Sequence, residues 1–332
     1  MPALPDTARQ SPTTPAGVKV LYIIGWGRSG STILDNLLGE LDGFFSVGEL
    51  TYLWERGLIE ERRCGCGEPL RSCPVWSRVL HDALGDPVAV DPHEAVRWQN
   101  EAVRVRHTWR LLRQPPGATS GDAALDAYTK ATTRLYRAVA DVTGARVIVD
   151  SSKRPSDGAL LRLLPGVVPY YVHLVRDPRA VAFSWSRRKR QLDRGRPADL
   201  VRHSATGSTL SWVGWNLAAE ALRRRHPAQQ FLLLRYEDFV ARPRPALEAI
   251  ARLVEERPPR LPIEGERTAL LATNHTVSGN PSRFSSGKVD LEEDKEWITR
   301  QRASDRLAAT ALALPWLRRY SYGLAPRPPA RS

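Results

Sequence analysis

The stretch Val18-Lys19-Val20-Leu21-Tyr22-Ile23-Ile24 runs directly into Gly25-Trp26-Gly27-Arg28-Ser29-Gly30-Ser31-Thr32 and then Ile33-Leu34-Asp35-Asn36-Leu37-Leu38. The first seven residues are β-branched, aromatic or apolar with little alternation, which predicts a strand buried on both faces. Ile33, Leu34, Leu37, Leu38 and Leu41 recur at helical spacing and predict a helix from Ser31 to about Leu41. Glycines between the two let successive backbone N–H groups point at one anion, and the helix N-terminus adds partial positive charge there. Ser31 and Thr32 offer hydroxyl donors to the same group. The spacing is that of a Walker phosphate loop, but Ser31 stands in the Lys position, so the loop's cation is Arg28. A kinase or other phosphotransferase using a nucleoside triphosphate is the alternative this spacing leaves open. Such enzymes need the Lys for the β/γ-phosphates, and its replacement argues against that reading.

Three further strands are predicted, at residues 146–149, Val167–Val175 and Phe231–Arg235, each followed by a helical pattern. Strands alternating with helices predict an α/β fold, three layers built around a central parallel sheet. Roughly 120 residues separate the first two predicted strands, far more than one crossover needs. Helical patterns at residues 92–112 and 123–142 make this stretch a helical insertion (about 56–142) capping the sheet. Residues 18–324 read as a single domain, with Pro-rich tails at 1–17 and 325–332. Residues 187–203 are basic and without clean periodicity, and are expected to form a mobile surface segment.

The 332 residues carry a formal net charge of +13, and only six of the 49 basic residues are Lys. Arg at this density favours an anionic ligand, because guanidinium grips phosphate in a bidentate fork. A hydrophobic content of 42% is enough for a sizeable core and excludes global disorder. Three cysteines do not make a disulfide scaffold. No apolar run approaches the ~20 residues of a membrane span, and the first residues lack signal-peptide architecture. The expectation is a soluble, cytoplasmic protein. Its basic residues are dispersed, and the run Arg187-Arg188-Lys189-Arg190 has no interleaved aromatics, so no nucleic-acid partner is expected.

Three more segments carry chemistry. In Val175-Arg176-Asp177-Pro178-Arg179, Arg176 falls at a strand's C-terminal end, where open α/β sheets bind ligands, with Ser184 about two helical turns on. Together they can grip one phosphate from two sides, or the Arg and Asp can form a plain surface pair before the helix. Tyr236, in Arg235-Tyr236-Glu237-Asp238, can line a base pocket or simply pack in the core. The stretch Gly279-Asn280-Pro281-Ser282-Arg283-Phe284-Ser285-Ser286-Gly287-Lys288 is a basic, turn-rich loop. Cys64, Cys66 and Cys73 with His81 would make four metal ligands, but the C-x-C…C spacing is not that of a standard zinc finger. The loop reads as structural or redox-sensitive, and no metal is expected.

Taken together, these segments resemble the sulfotransferase family, which uses 3′-phosphoadenosine 5′-phosphosulfate (PAPS) as co-substrate. The resemblance spans 18–53 and 147–297. It implies that Gly27, Arg28, Ser29, Gly30, Ser31 and Thr32 hold the 5′-phosphosulfate, and that Arg176 and Ser184 hold the 3′-phosphate. It also places Tyr236 and Phe284 by the adenine, with Arg283, Gly287 and Lys288 in a C-terminal cofactor loop. Some branches of the family use a Glu as general base, and Glu49 in Phe45-Ser46-Val47-Gly48-Glu49 resembles theirs. His275 is the second candidate base. Lys153, after Asp150-Ser151-Ser152, resembles the family's basic residue near the bridging oxygen. His173, mid-strand, reads as buried structure. Residues 56–142 and 187–211 are expected to shape the acceptor pocket, with carbohydrate, glycolipid and natural-product hydroxyls all open. A lipid acceptor would add peripheral membrane contact. Nothing in the sequence bears on oligomeric state.

Overall fold

The first strand is buried on both faces because its side chains alternate between two cores. β1 (Val18–Ile24) sends Val20, Tyr22 and Ile24 to one side of the sheet and Leu21 and Ile23 to the other. The computed structural model describes residues 17–85, 90–117, 120–194, 198–199 and 201–324. The tails expected at 1–17 and 325–332 fall outside this set, apart from Gly17.

β2 (Phe44–Gly48), β3 (Val147–Lys153), β4 (Val167–Val175) and β7 (Phe231–Arg235) complete a five-stranded sheet of order β2-β3-β1-β4-β7. Every neighbouring pair is parallel. A short antiparallel pair, β5 (Arg190–Gln191) and β6 (Ala198–Asp199), lies in the basic segment. β8 (Ile263–Glu264), β9 (Thr268–Leu271) and β10 (Gly287–Asp290) form a small antiparallel sheet. The helix Ser31–Gly39 packs Leu34, Leu37 and Leu38 on the Leu21 face, with Phe239, Leu247 and Ile250 from the helices Tyr236–Ala241 and Pro243–Leu253. On the Val20 face lie Trp76, Leu80, Ala95, Leu111, Leu125 and Leu135 from the inserted helices. The insertion therefore shares the sheet's own core. The result is a three-layer α/β architecture.

The expected elements differ from those observed in three places. β2 has five residues bracketed by Gly43 and Gly48, too short and too glycine-flanked to stand out as a strand. It is held as the sheet's edge by parallel pairing with β3 and by Ser46, whose hydroxyl donates to Asp35 at 2.6 Å. The single helical pattern at 92–112 is two helices, Pro92–Ala102 and Thr108–Arg113, because the chain leaves helical geometry at Val103. The basic segment is anchored part-way. Asp193 is buried, its carbonyl accepts from the Arg63 N–H at 3.0 Å, and its carboxylate faces Arg62 at 3.7 Å.

Because the sheet is parallel, the ends of all five strands point the same way. Gly25 to Gly30, Glu49, Lys153, Arg176 and Tyr236 each follow or close one of these ends. One edge of the sheet thus gathers them. Among the described residues, no helix is long and apolar enough to cross a membrane.

Candidate functional site

The glycine-bent loop lies between β1 and the helix Ser31–Gly39. Gly30 caps that helix at φ +85°, and no side chain of the described residues caps the helix's first N–H groups. A Cβ at Gly30 would run into the Tyr236 ring, so glycine is required twice over, for conformation and for space. Arg28 is held at φ +66°, a region non-glycine residues seldom occupy, and strain of this kind concentrates at binding sites. Among the described residues, two polar atoms of this turn are buried without a partner: Arg28 Nη1 and Ser29 Oγ. Buried polar atoms normally find partners. A cation and a hydroxyl left unmatched in one turn, beside unsatisfied helix N–H groups, form a receptacle for an anion.

Neighbouring side chains hold the loop in shape. Arg176 donates to the Arg28 carbonyl at 3.1 Å and lies over the Tyr236 ring at 4.5 Å. Trp185 Nε1 donates to the Gly27 carbonyl at 3.2 Å, and the Arg28 guanidinium sits 5.0 Å from its ring centroid. The neighbouring Asp177–Arg179 pair, 2.7 Å apart and buried, is a structural ion pair. Asp177 also accepts from the Arg179 N–H and so caps the helix Pro178–Ser186. That division of labour leaves Arg176 turned toward the loop. Ser184 is buried in the same helix. Thr32 Oγ1 accepts from the Asn280 N–H at 3.4 Å, bringing the late Asn280 turn against the loop's helix.

Arg187 and Lys189 join this group, although the sequence pointed to 187–211 only as part of the acceptor pocket. Burial, then the positive charges of Arg28 and Arg187, pull Lys189 below the ordinary Lys range. Arg176 adds to this and Asp294 opposes it. Arg187 is itself paired with Asp294 at 3.3 Å. Burial likewise lowers Arg28, with the Glu49 carboxylate acting the other way. Four cations around one turn repel each other, and an incoming polyanion would relieve that repulsion. The sequence signal was the run of four basic residues, Arg187 to Arg190, which looks like any solvated surface.

On the other flank, Lys153 Nζ meets Glu49 Oε1 at 2.5 Å and the Ser151 carbonyl at 2.8 Å. Lys153 also adopts φ +68°. The register explains its position. Tyr22 and Ile24 pair with Asp150 and Lys153, so β3 carries one extra residue that swings Lys153 beside the Gly25 N–H, which donates to its carbonyl at 3.3 Å. Arg56 faces Glu49 at 3.9 Å.

The remaining expected site residues come from the late loop and β10, where Gly279 lies between Arg283 and Thr32. Arg283 is 1% exposed, and its guanidinium donates to the carbonyls of Thr276 (2.6 Å) and Arg63 (2.5 Å). These two bonds tie the late loop to the insertion, and among the described residues the buried Arg283 Nε has no hydrogen-bond partner. Phe284 lies under the guanidinium, 4.4 Å away. Gly287 and Lys288 belong to β10, where Lys288 is exposed and paired with Glu264. His275 turns Nδ1 toward sulfur, 3.2 Å from Cys73 Sγ and 4.0 Å from Cys64 Sγ. His81, the histidine weighed with the cysteines as a metal ligand, is exposed. His173 is fully buried against Asn216, and desolvation lowers it to about 4.

A sequence profile described as "Sulfotransferase family" matches residues 21–257, more than half of the chain.

The chain belongs to the sulfotransferase family.

The match takes in the Arg28 loop, Glu49, Lys153, Arg176 and Tyr236, and ends before the late loop that holds His275 and Arg283. Among solved structures, the sulfotransferase domain from the curacin biosynthetic pathway is 16% identical. The alignment covers 94% of this chain and 99% of that one at a TM-score of 0.52. The sulfotransferase domain of the Synechococcus PCC 7002 olefin synthase is 20% identical over 95% and 98% (TM-score 0.49). Sulfotransferase STF9 from Mycobacterium avium is 15% identical over 95% and 79% (TM-score 0.46). The likeness to the curacin domain is one of fold. No curated protein matches the chain. Membership makes this protein a transferase of sulfuryl groups, and the kinase alternative raised by the loop spacing is set aside.

Proposed function

We propose that this sulfotransferase moves a sulfuryl group from PAPS to a hydroxyl of a carbohydrate, glycolipid or small natural product. The observation that carries the reading is the pair of buried, partnerless donors Arg28 Nη1 and Ser29 Oγ in a turn that opens a helix. Arg28, Ser29, Gly30, Ser31 and Thr32 would hold the 5′-phosphosulfate. Arg176 and Ser184, with Lys189 and Arg187 nearby, would take the 3′-phosphate, and Tyr236 would border the base.

In the reaction, the acceptor oxygen forms a bond to sulfur as the bond from sulfur to the phosphate oxygen breaks. The electron pair of the broken bond stays on the departing phosphate. Arg28 and the loop N–H groups stabilise that charge, and pre-aimed donors of this type contribute about 10²–10³-fold each. Lys153, beside the Gly25 end of the loop, would face the bridging oxygen. The acceptor proton goes to Glu49, which must first share or release its contact with Lys153. One lysine thus links the two ends of the displacement: as its charge turns to the leaving oxygen, the carboxylate is freed for the acceptor.

The test is thermal stabilisation by 3′-phosphoadenosine 5′-phosphate, compared with ADP and AMP. At a hundredfold excess over Kd a ligand adds about 2.7 kcal/mol of stability. A shift that requires the 3′-phosphate is expected, and equal shifts with all three nucleotides would refute PAPS as the donor.

A further inference from the structure

Cys64, Cys66, Cys73 and His275 each present a ligand atom, and these four atoms all lie within 4.8 Å of one another. Three come from one loop of the insertion and the fourth from a segment some two hundred residues later. We infer that Cys64, Cys66, Cys73 and His275 form a structural zinc site, with three thiolate sulfurs and His275 Nδ1 as ligands. The donor set is of the Cys₃His type, which selects zinc over hard cations. Zn–S bonds of about 2.3 Å and a Zn–N bond of about 2.0–2.1 Å put tetrahedral edges at roughly 3.8 Å between sulfurs and 3.6 Å between sulfur and nitrogen. The observed S···Nδ1 separations, 3.2 and 4.0 Å, bracket the latter. Binding would displace the thiol protons to solvent and leave the ion four-coordinate with protein donors. No position remains for water or substrate, so the role is structural.

The surrounding backbone is built to hold these atoms. The Cys64 N–H donates to the Glu68 carbonyl (2.8 Å), and the Gly67 N–H donates back to the Cys64 carbonyl (2.9 Å), closing a tight turn around Cys66. Trp76 Nε1 donates to the His275 carbonyl at 2.5 Å, and the Gly65 N–H donates to the Thr276 carbonyl at 3.0 Å. Gly65 packs so closely on Asn274 that a Cβ there would overlap it. Ligand spacing along the chain concealed the site, because its histidine is His275 and not His81.

The site has a consequence for the sheet edge. Two residues beyond His275, the Val277 N–H donates to the Val47 carbonyl (2.9 Å). The Ser278 carbonyl then accepts from the Glu49 N–H (3.2 Å), and its hydroxyl accepts from Arg56 (3.0 Å). A metal pinning His275 to the cysteine loop would therefore fix the strand end that presents Glu49. This inference is independent of the identity of the sulfuryl donor.

The experiment is elemental analysis of the untagged full-length protein after dialysis without chelator, followed by replacement with Co²⁺. About one zinc per chain is expected. The cobalt form should show the visible bands and sulfur-to-metal charge transfer of a tetrahedral thiolate site. Cys66→Ser and His275→Ala should each lose most of the metal, and His81→Ala should retain it. Chelation should lower Tm in the absence of nucleotide. Protein from zinc-supplemented cells that holds no stoichiometric metal and gives no cobalt–thiolate band would overturn the site, even if both variants misfold. So would a disulfide among these cysteines in freshly thiol-blocked protein. The nucleotide shifts described above report on the donor separately.

Discussion

Arg176 is the residue on which nucleotide choice is expected to turn. It leaves its own Asp177–Arg179 pair aside, reaches the Arg28 carbonyl and covers Tyr236. Hydrogen bonds to a charged group are worth about 1.5–3 kcal/mol. Arg176→Ala should therefore weaken binding of 3′-phosphoadenosine 5′-phosphate by roughly 10–100-fold and leave AMP nearly unchanged, as titration calorimetry would show. An equal loss for both nucleotides would mean that Arg176 only shapes the loop. Glu49→Gln keeps the size of the side chain and removes its basicity. Turnover should fall about 10²–10⁴-fold with nucleotide affinity preserved. If steady-state turnover is unchanged, Glu49 is not the base. Arg28 stood out in the sequence as the cation of the glycine loop, and Glu49 through its segment's resemblance to the Glu-using branches of the family. The isolation of Arg28 Nη1 and the closeness of Lys153 to Glu49 depend on atoms from segments about a hundred residues apart, which no local pattern encodes.

At the scale of elements, the contact that matters most is between the loop's helix and the edge strand. Asp35 on the helix Ser31–Gly39 is buried and accepts from Ser46 on β2. Desolvation raises its carboxyl to about 7, and the Ser46 hydrogen bond and the Lys153 charge only partly oppose this. In the unfolded chain an Asp titrates near 3.9. The stability this group contributes is thus fully present below pH ~4 and is lost as pH rises through about 7. Asp150, raised by burial to about 6, acts in the same direction. Asp35→Asn should remove part of that loss. Its denaturant midpoint relative to the natural protein should rise between pH 5 and pH 8, and a difference that does not vary with pH would contradict the burial argument. Helix and strand were unequally legible for a physical reason. Leu34, Leu37 and Leu38 repeat at the helical period, whereas β2 has five residues and owes its existence to β3 beside it.

Across the whole molecule, Arg283 ties together three distant stretches. It donates to the carbonyls of Arg63 and Thr276 and faces the buried Asp193 at 3.9 Å. Truncating one member of such a buried charged group costs about 3–5 kcal/mol. Arg283→Ala should lower the free energy of unfolding by that order while leaving the preference for a 3′-phosphate intact, both measurable on one sample series. A selective loss of 3′-phosphate recognition with full stability would return Arg283 to the cofactor side. The same stitching brings His275 to the cysteines and sets Ser278 behind Glu49.

The sequence by itself determined the alternating strand–helix order, the glycine-bent turn at Gly25 to Gly30 and the placing of Arg176 at a strand end. Each of these follows from side-chain periodicity or backbone freedom within a dozen residues. Only the tertiary structure decided that Arg283 bonds to the Arg63 and Thr276 carbonyls, that Lys189 joins the cationic cluster, and that His275 meets three sulfurs. Those roles depend on which groups are left without partners once distant segments pack, and that accounting exists only in the folded chain.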